Sequence, residues 1–275
     1  MLTGDLGAMV KAAITESQNG LARFRLQLLR PVQPMLAQTA TDLYDALARI
    51  HPAAVEWKLD GARIQVHRLG DDVRAFTRSL ADITERVPEV VEAVRALLVQ
   101  AVILDGEAIA LTEDGRPHPF QVTMSRFGGR LDVEQHRQRT PLFPFFFDCL
   151  RLDGDDLIDH PASERFAALD AHVPETLRAP RTLASDPTQA QLLLGTALQH
   201  GHEGVMAKAL GTPYEAGRRG ASWLKVKRAH TLPRYLGGLA LRFARVKGYR
   251  PDKRPSKADT IDMVRAIHDG TLEQR

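Results

Sequence analysis

Apolar residues along this chain change their spacing several times, and each change marks an element. From Met1 to about Leu29 they recur at helical intervals, with Leu21, Phe24, Leu28 and Leu29 on one face before Arg30-Pro31 ends the run, which predicts one or two helices. Pro31 and Pro34 then form a stiff connector. Thr41 and Asp42 precede Leu43, Leu47 and Ile50 as capping residues precede a helix, so a domain boundary is predicted near residue 33. Val55 to Leu59 and Ala62 to Arg68 are short strands around Asp60-Gly61, and Val73 to Thr77 follows after Gly70-Asp71-Asp72. Antiparallel sheet is the simplest arrangement of the three. Val90, Val91, Val94, Leu97 and Leu98 make the stripe of an amphipathic helix over Pro88 to Val99, followed by strands at Ala101 to Leu104 and Glu107 to Leu111. Pro144 to Leu150 reads as a buried strand, Ala162 to Ala171 and Thr188 to Gln199 as helices, and Gly204 to Ala209 and Trp223 to Lys227 as closing strands. The predicted class is α+β, with helices packed on antiparallel sheets.

Composition narrows this little: 275 residues with 44% apolar content suffice for one large domain or two small ones. No apolar run reaches membrane-spanning length and the first thirty residues lack the order of an export signal, so the expected compartment is the cytoplasm, with no membrane partner. The single cysteine, Cys149, sits in the apolar stretch Phe143 to Leu152, which makes it a core residue and rules out intrachain disulfides and cysteine-based metal sites. His200 and His202 flank a glycine, but without cysteine or further histidine partners they do not predict zinc. Charge is more informative. Residues 218 to 257 hold thirteen Lys/Arg and one acid, Asp252, whereas the rest of the chain has 24 basic and 33 acidic residues. A basic segment of that density fits a polyanionic partner, and on charge alone it fits a solvated tail as well.

In the stretch from Glu56 to Arg63, Lys58 ends a strand, Asp60-Gly61 turns the chain, and Arg63 stands on the returning strand, so two cations are aimed at one spot. A lysine amine attacks phosphorus only when deprotonated, and a neighbouring cation with partial desolvation favours that form. Taken alone, the pattern is described as well by a plain hairpin whose lysine points to water.

Its company changes the weighing. Lys58-Leu-Asp-Gly-Ala-Arg63 resembles motif I of the covalent nucleotidyltransferases, K-x-D-G-x-R, whose lysine carries AMP. Phe76 to Asp82 resembles the following S/T-R segment, with Arg78 at the phosphate end of the site. Asp105-Gly106-Glu107 resembles motif III and Phe146-Phe147-Asp148 motif IIIa, in which an aromatic ring stacks on adenine. Glu203 to Lys208 matches motif IV, E-G-x-x-x-K, and Ser222 to Lys227 matches motif V. Arg63, together with the absence of zinc cysteines, is typical of the ATP-using DNA ligases. Arg30 to Ala37, Ser125-Arg126-Phe127 and Tyr214 to Arg219 also look like the bacterial and archaeal monofunctional members of that family.

The resemblance implies an ATP-grasp-like covalent nucleotidyltransferase core of antiparallel sheets flanked by helices. It implies ATP and Mg2+ as cofactors, nicked double-stranded DNA as partner, and a monomeric, nucleoid-associated bacterial enzyme of DNA repair, recombination and replication. Lys58 is the expected nucleophile. Lys225 and Lys227, two apart on a strand, point to one face and can both reach the α-phosphate. Glu107 and Glu203 are the expected carboxylates near Mg2+, which takes few protein oxygens and keeps waters. Glu56, Arg63, Arg78 and Lys208 are further expected nucleotide contacts, and Phe147 the stacking ring, although alternation among Phe145, Phe146 and Phe147 lets only some share a face. Arg250-Pro-Asp252-Lys253 resembles motif VI, R-x-D-K, which orients pyrophosphate. Three segments are thus expected: 1–33, the end of a helical DNA-binding domain; 34–230, the nucleotidyltransferase domain; and 231–275, a basic remnant of an OB-fold whose body is deleted near Thr231 to Pro233. The shared motifs leave an RNA ligase or capping-type enzyme open, as well as a non-catalytic nucleotide- or DNA-binding remnant.

Overall fold

The computed structural model describes residues 26–227 apart from 129–131 and 185–186, isolated positions among the first fifteen, and two short strands between 234 and 239. The chain divides into two units, Met1–Lys227 and Arg228–Arg275. No helix of the described residues is long and apolar enough to cross a membrane.

The first unit opens with strand β1 (Leu36–Thr39) and helix α1 (Leu43–Arg49). Asp42 caps α1 by accepting from the Asp45 amide at 2.8 Å, and the Asp45 carboxylate accepts from the Thr41 amide at 2.9 Å. Strands β2 (Ala53–Lys58), β3 (Ala62–Leu69) and β4 (Asp72–Thr77) follow, then α2 (Pro88–Arg95), which begins on the proline that a first helical turn accepts without losing a hydrogen bond. The next elements are β5 (Ala101–Ala110), α3 (Phe120–Gly128), α4 (Val133–Arg139), β6 (Leu142–Leu152), β7 (Asp155–Asp156) and α5 (Ala162–His172). Last come β8 (Arg181–Leu183), α6 (Pro187–Gln199), β9 (Gly204–Ala209) and β10 (Arg219–Lys227).

These strands form two five-stranded sheets. The first, in the order β4-β3-β5-β6-β7, is antiparallel throughout. The second, β1-β10-β9-β2-β8, is antiparallel except that β1 runs parallel to β10. Alternation along each strand sorts the side chains into three cores. Ile64, Val66, Leu104 and Phe146 point from the first sheet to Val90 and Val94 of α2 and Phe127 of α3. Val55, Val205, Leu224 and Val226 point from the second sheet to Leu43 of α1 and Ala190 and Ala197 of α6. Between the sheets, Ile103, Ile109, Phe147 and Leu150 of the first meet Met35, Tyr214 and Trp223 of the second sheet and its flanking segments.

Five details differ from the sequence expectation. Of the three early strands expected to share one antiparallel sheet, only β3 and β4 pair, and β2 lies in the second sheet between β9 and β8. Residues 26–30 form a turn rather than the end of a helix: Leu29 has φ 63° and Leu26 is drawn into the core between the sheets. The two expected strands after α2 are one, β5, because Gly106 accommodates an approach in which an added Cβ would lie 2.6 Å from the Phe145 carbonyl oxygen. β10 starts at Arg219, four residues before Trp223. β1, β7, β8, α3 and α4 were not expected at all. In the second unit the described residues are an antiparallel pair, β11 (Arg234–Tyr235) and β12 (Gly238–Leu239).

Candidate active site

Cross-strand register turns the candidate residues into a map. Lys58 of β2 and Lys227 of β10 both stand opposite Gly204 of β9, Glu56 and Lys225 both stand opposite Met206, and Trp223 stands opposite Lys208. All are on the face of the second sheet that looks toward the first, in steps of two residues or about 7 Å. Gly204 makes the close convergence of these strands feasible: at its φ of 147°, a Cβ would sit 2.1 Å from the Val226 carbonyl oxygen.

At the Gly204 end, Glu203 is ion-paired with Lys58 and, at 2.7 Å, with Lys227. Partial burial would raise the Glu203 carboxyl, but Lys58 and Lys227 outweigh it and hold the group at about 2. Lys225 is pushed below the ordinary lysine value by burial and by the neighbouring cations Lys227, Arg219 and Lys58. From the first sheet, Glu107 accepts from the Gly61 amide at 2.8 Å. Burial raises its carboxyl to about 7 against the opposing pull of Lys58, that amide and Arg63. An amine, two further lysines and two carboxylates thus crowd one mouth, a setting able to hold phosphate groups and a small hard cation.

At the Trp223 end the charges are dry. Lys208 is 1% exposed and Glu56 2%. Their ion pair measures 2.5 Å, and the Lys208 ammonium lies 4.2 Å from the Phe147 ring centre and 4.1 Å from that of Trp223. The other Glu56 oxygen, Oε2, is buried with no hydrogen-bond partner among the described residues. On the facing sheet, Arg63 donates two 2.6 Å hydrogen bonds to Asp105 and sits 4.6 Å from the Phe147 ring centre. Tyr214 donates to Asp105 at 2.5 Å and accepts from the Met35 amide at 2.9 Å.

The structure therefore gathers Lys58, Glu203, Lys225, Lys227 and Glu107 at one end of the cleft, and Glu56, Lys208, Arg63 and Phe147 at the other. It resolves the aromatic triplet in part. Phe146 points to the core behind the first sheet, whereas half-buried Phe145 and 7% exposed Phe147 point between the sheets. Arg78 stands exposed in the turn after β4 and makes no ion pair among the described residues. Arg250 and Lys253 lie outside the described residues. Cys149 is buried, and no group of three metal-ligating side chains occurs among the described residues. His202 packs on Trp57 instead, at 4.8 Å between ring centres. Sequence reasoning missed Asp105 as the partner of Arg63 and Tyr214 as a donor to Asp105. Asp105-Gly106 carries a turn signal that hides an inward carboxylate, and nothing local links it to a tyrosine 109 residues away.

A family model described as "ATP dependent DNA ligase domain" matches residues 34–227. A probable DNA ligase of Anaeromyxobacter sp. (strain Fw109-5) is 47% identical over 354 aligned positions, covering 98% of this chain and 68% of that protein. One from Sorangium cellulosum (strain So ce56) is 44% identical over 357 positions, covering 99% and 67%. The crystal structure of the ligase domain of M. tuberculosis LigD superposes with a TM-score of 0.55 at 31% identity, over 71% of this chain and 60% of that one. A mycobacterial DNA ligase D complexed with ATP and MES gives 0.54 at 30% identity, with the same coverage.

Proposed function

Because the chain belongs to the ATP-dependent DNA ligase family, we propose that Lys58 is its adenylation nucleophile and that the AMP is passed on to the 5′-phosphate of nicked DNA. The Lys58 amine, having lost a proton to solvent, attacks the α-phosphorus of ATP. A phosphorus–nitrogen bond forms, the bond to the bridging oxygen breaks, and pyrophosphate leaves. The observation that carries this reading is the convergence of Lys58, Lys225 and Lys227 on one end of one sheet face, with Glu203 among them. Negative charge growing on the α-phosphate and on departing pyrophosphate meets preorganised cations there.

The dry end suits the base. Phe147 supplies the ring on which adenine stacks, Glu56 Oε2 supplies an acceptor for the exocyclic amine, and Arg63 is fixed for the nucleotide by Asp105. Glu107 and Glu203 are two oxygen donors without a third, a set that fits Mg2+, which keeps waters and takes substrate phosphates. When bound, the ion neutralises charge on the phosphate oxygens. Residues 218–257, with thirteen basic side chains, supply a sequence-independent contact to DNA phosphates.

The relatives' matched stretch has 354 aligned positions against 275 residues in this chain, so at least 79 of those positions have no counterpart here. An OB-fold body lost after the adenylation unit would account for them, and closure over DNA would then be weak. The test is incubation with α-labelled ATP and Mg2+, followed by a chase with nicked duplex at about 0.15 M salt. The expected result is a labelled, acid-labile adduct that Lys58→Arg abolishes, with poor sealing in the chase. Labelling that survives Lys58→Arg would refute the nucleophile, and efficient multiple-turnover sealing would refute the account of the deletion.

A further inference from the structure

The Glu56–Lys208 pair is an unusual object to find between two sheets. Both side chains are almost wholly buried, one carboxylate oxygen takes the ammonium at 2.5 Å, and the other has no partner among the described residues. A buried ion pair is a poor source of stability, because apolar side chains of the same volume commonly hold a fold as well or better. Lys208 is too deep to meet solvent or the phosphate end. Besides Glu56, its ammonium donates to the Phe147 carbonyl oxygen at 3.3 Å and lies against the Phe147 and Trp223 rings. Asp148 and Arg181 add one charge of each sign around Glu56. The Phe166 ring centre is farther off, at 5.6 Å, so the nearest contacts of Lys208 bear on Glu56 and on the rings beside it.

A carboxyl group buried alone takes up a proton, and then offers a donor as readily as an acceptor. Burial pushes the Glu56 carboxyl above its ordinary value, and Lys208 pulls the other way. With an ammonium at 2.5 Å from Oε1, a shared proton sits between Oε1 and the Lys208 nitrogen, which leaves Oε2 as the acceptor. An acceptor-only atom fits the 6-amino group of adenine and opposes the 6-oxo group of hypoxanthine or guanine. We propose that Lys208 is a positioning residue that holds Glu56 as a one-ended acceptor and thereby sets the preference for 6-aminopurine over 6-oxopurine nucleotides. This rests on the base site described under the proposed function, and the measurement is chosen so that the two can fail separately.

The test uses the full chain and compares adduct formation from ATP and from inosine triphosphate, which differs at the 6-position, with KM and kcat separated for each. Glu56→Ala is expected to lower the ATP preference by roughly tenfold to a hundredfold, the range of a lost hydrogen bond to a charged group. Lys208→Met is expected to lower it by about tenfold or more through KM for ATP, and to add nothing in the Glu56→Ala background. Lys208→Gln, which keeps a donor toward Glu56, serves as the second variant if the methionine form does not fold, and is expected to fall between. Should the parent form no adduct, the same comparison is read from the rise in melting temperature that each nucleotide produces. A preference within about twofold of the parent in both Lys208 variants, with Glu56→Ala losing it, would overturn the role of Lys208 and leave the base site standing. Retention of the preference in Glu56→Ala would overturn the base site and this inference together. An equal loss from Lys208→Met with and without Glu56 would show that Lys208 meets the nucleotide itself, and would overturn the positioning role.

Discussion

At the Gly204 end of the cleft the ion pairs are open: the side chains of Lys58, Glu203 and Lys227 keep 17%, 14% and 42% of their exposure. At the Trp223 end, Glu56 and Lys208 keep almost none and Asp105 keeps none, while Arg63, which holds Asp105, keeps 17%. The same residue types serve two different purposes. Water at the open end lets a pair part and reform around an incoming phosphate at low cost, whereas in the dry interior each charge depends on its partner. The proposed chemistry thus lies among the partly exposed charges, and the proposed base site among the most deeply buried ones.

The contrast can be broken from the dry side first. Asp105→Ala strands the Arg63 guanidinium and the Tyr214 hydroxyl, and should cost about 3–5 kcal/mol in urea unfolding. A loss below about 1 kcal/mol would mean that water reaches this cluster and that the two ends are alike. Glu203→Ala should act the other way, slowing adduct formation by about a hundredfold while the melting temperature stays near that of the parent. If labelling kept within about twofold of the parent, Glu203 would be a structural partner of Lys58 and nothing more.

Phe147→Leu sharpens the boundary between the two ends, since its ring has Arg63 and Lys208 over it and lies where adenine is proposed to stack. A stacking role adds about 1 kcal/mol, or roughly a fivefold change in ATP affinity, beyond burial. Thermal stability that collapses while ATP affinity holds would assign Phe147 to the core alone. The smallest effect concerns Glu107, whose carboxyl stands at about 7 in the fold against 4.5 ordinarily. A raised acid is stabilising while protonated, below 4.5, and loses that contribution as pH rises through 7. Glu107→Gln should therefore melt about 2 °C above the parent at pH 8 and level with it at pH 5. The reverse order would place the Glu107 carboxylate in a favourable ionised state.

What the sequence made legible was local. Period-two spacing put Lys225 and Lys227 on one face, and Asp42 announced α1, whereas the turn at Asp60-Gly61 carries the chain from the second sheet to the first, so that Arg63 meets Asp105 and not Lys58. It failed where a residue's meaning depends on a distant strand. Asp105-Gly106 signals a turn, yet the pair lies inside β5 because the glycine admits the Phe145 backbone and the aspartate has Arg63 and Tyr214 waiting. Leu26 to Leu29 has helical spacing, but Leu26 enters the core between the sheets, and the Leu29 and Val32 amides are taken by His67 and Gln65 on β3. Lys208 looked like a nucleotide contact within its motif, and only the register with Trp223 and the depth of Glu56 reveal a buried pair.

A ribosome delivers the first sheet in one passage, from Ala62 to Asp156, and each of its strands finds a neighbour close behind. The second sheet is assembled from both ends of the unit. β1 and β2 emerge early, yet β1 pairs only with β10, and β2 only with β8 and β9, which come more than a hundred residues later. Lys58 is therefore made long before Glu203, Lys225 and Lys227. Until residue 227 has been synthesised, a growing or prematurely ended chain carries Lys58 without the full set of charges that gathers around it.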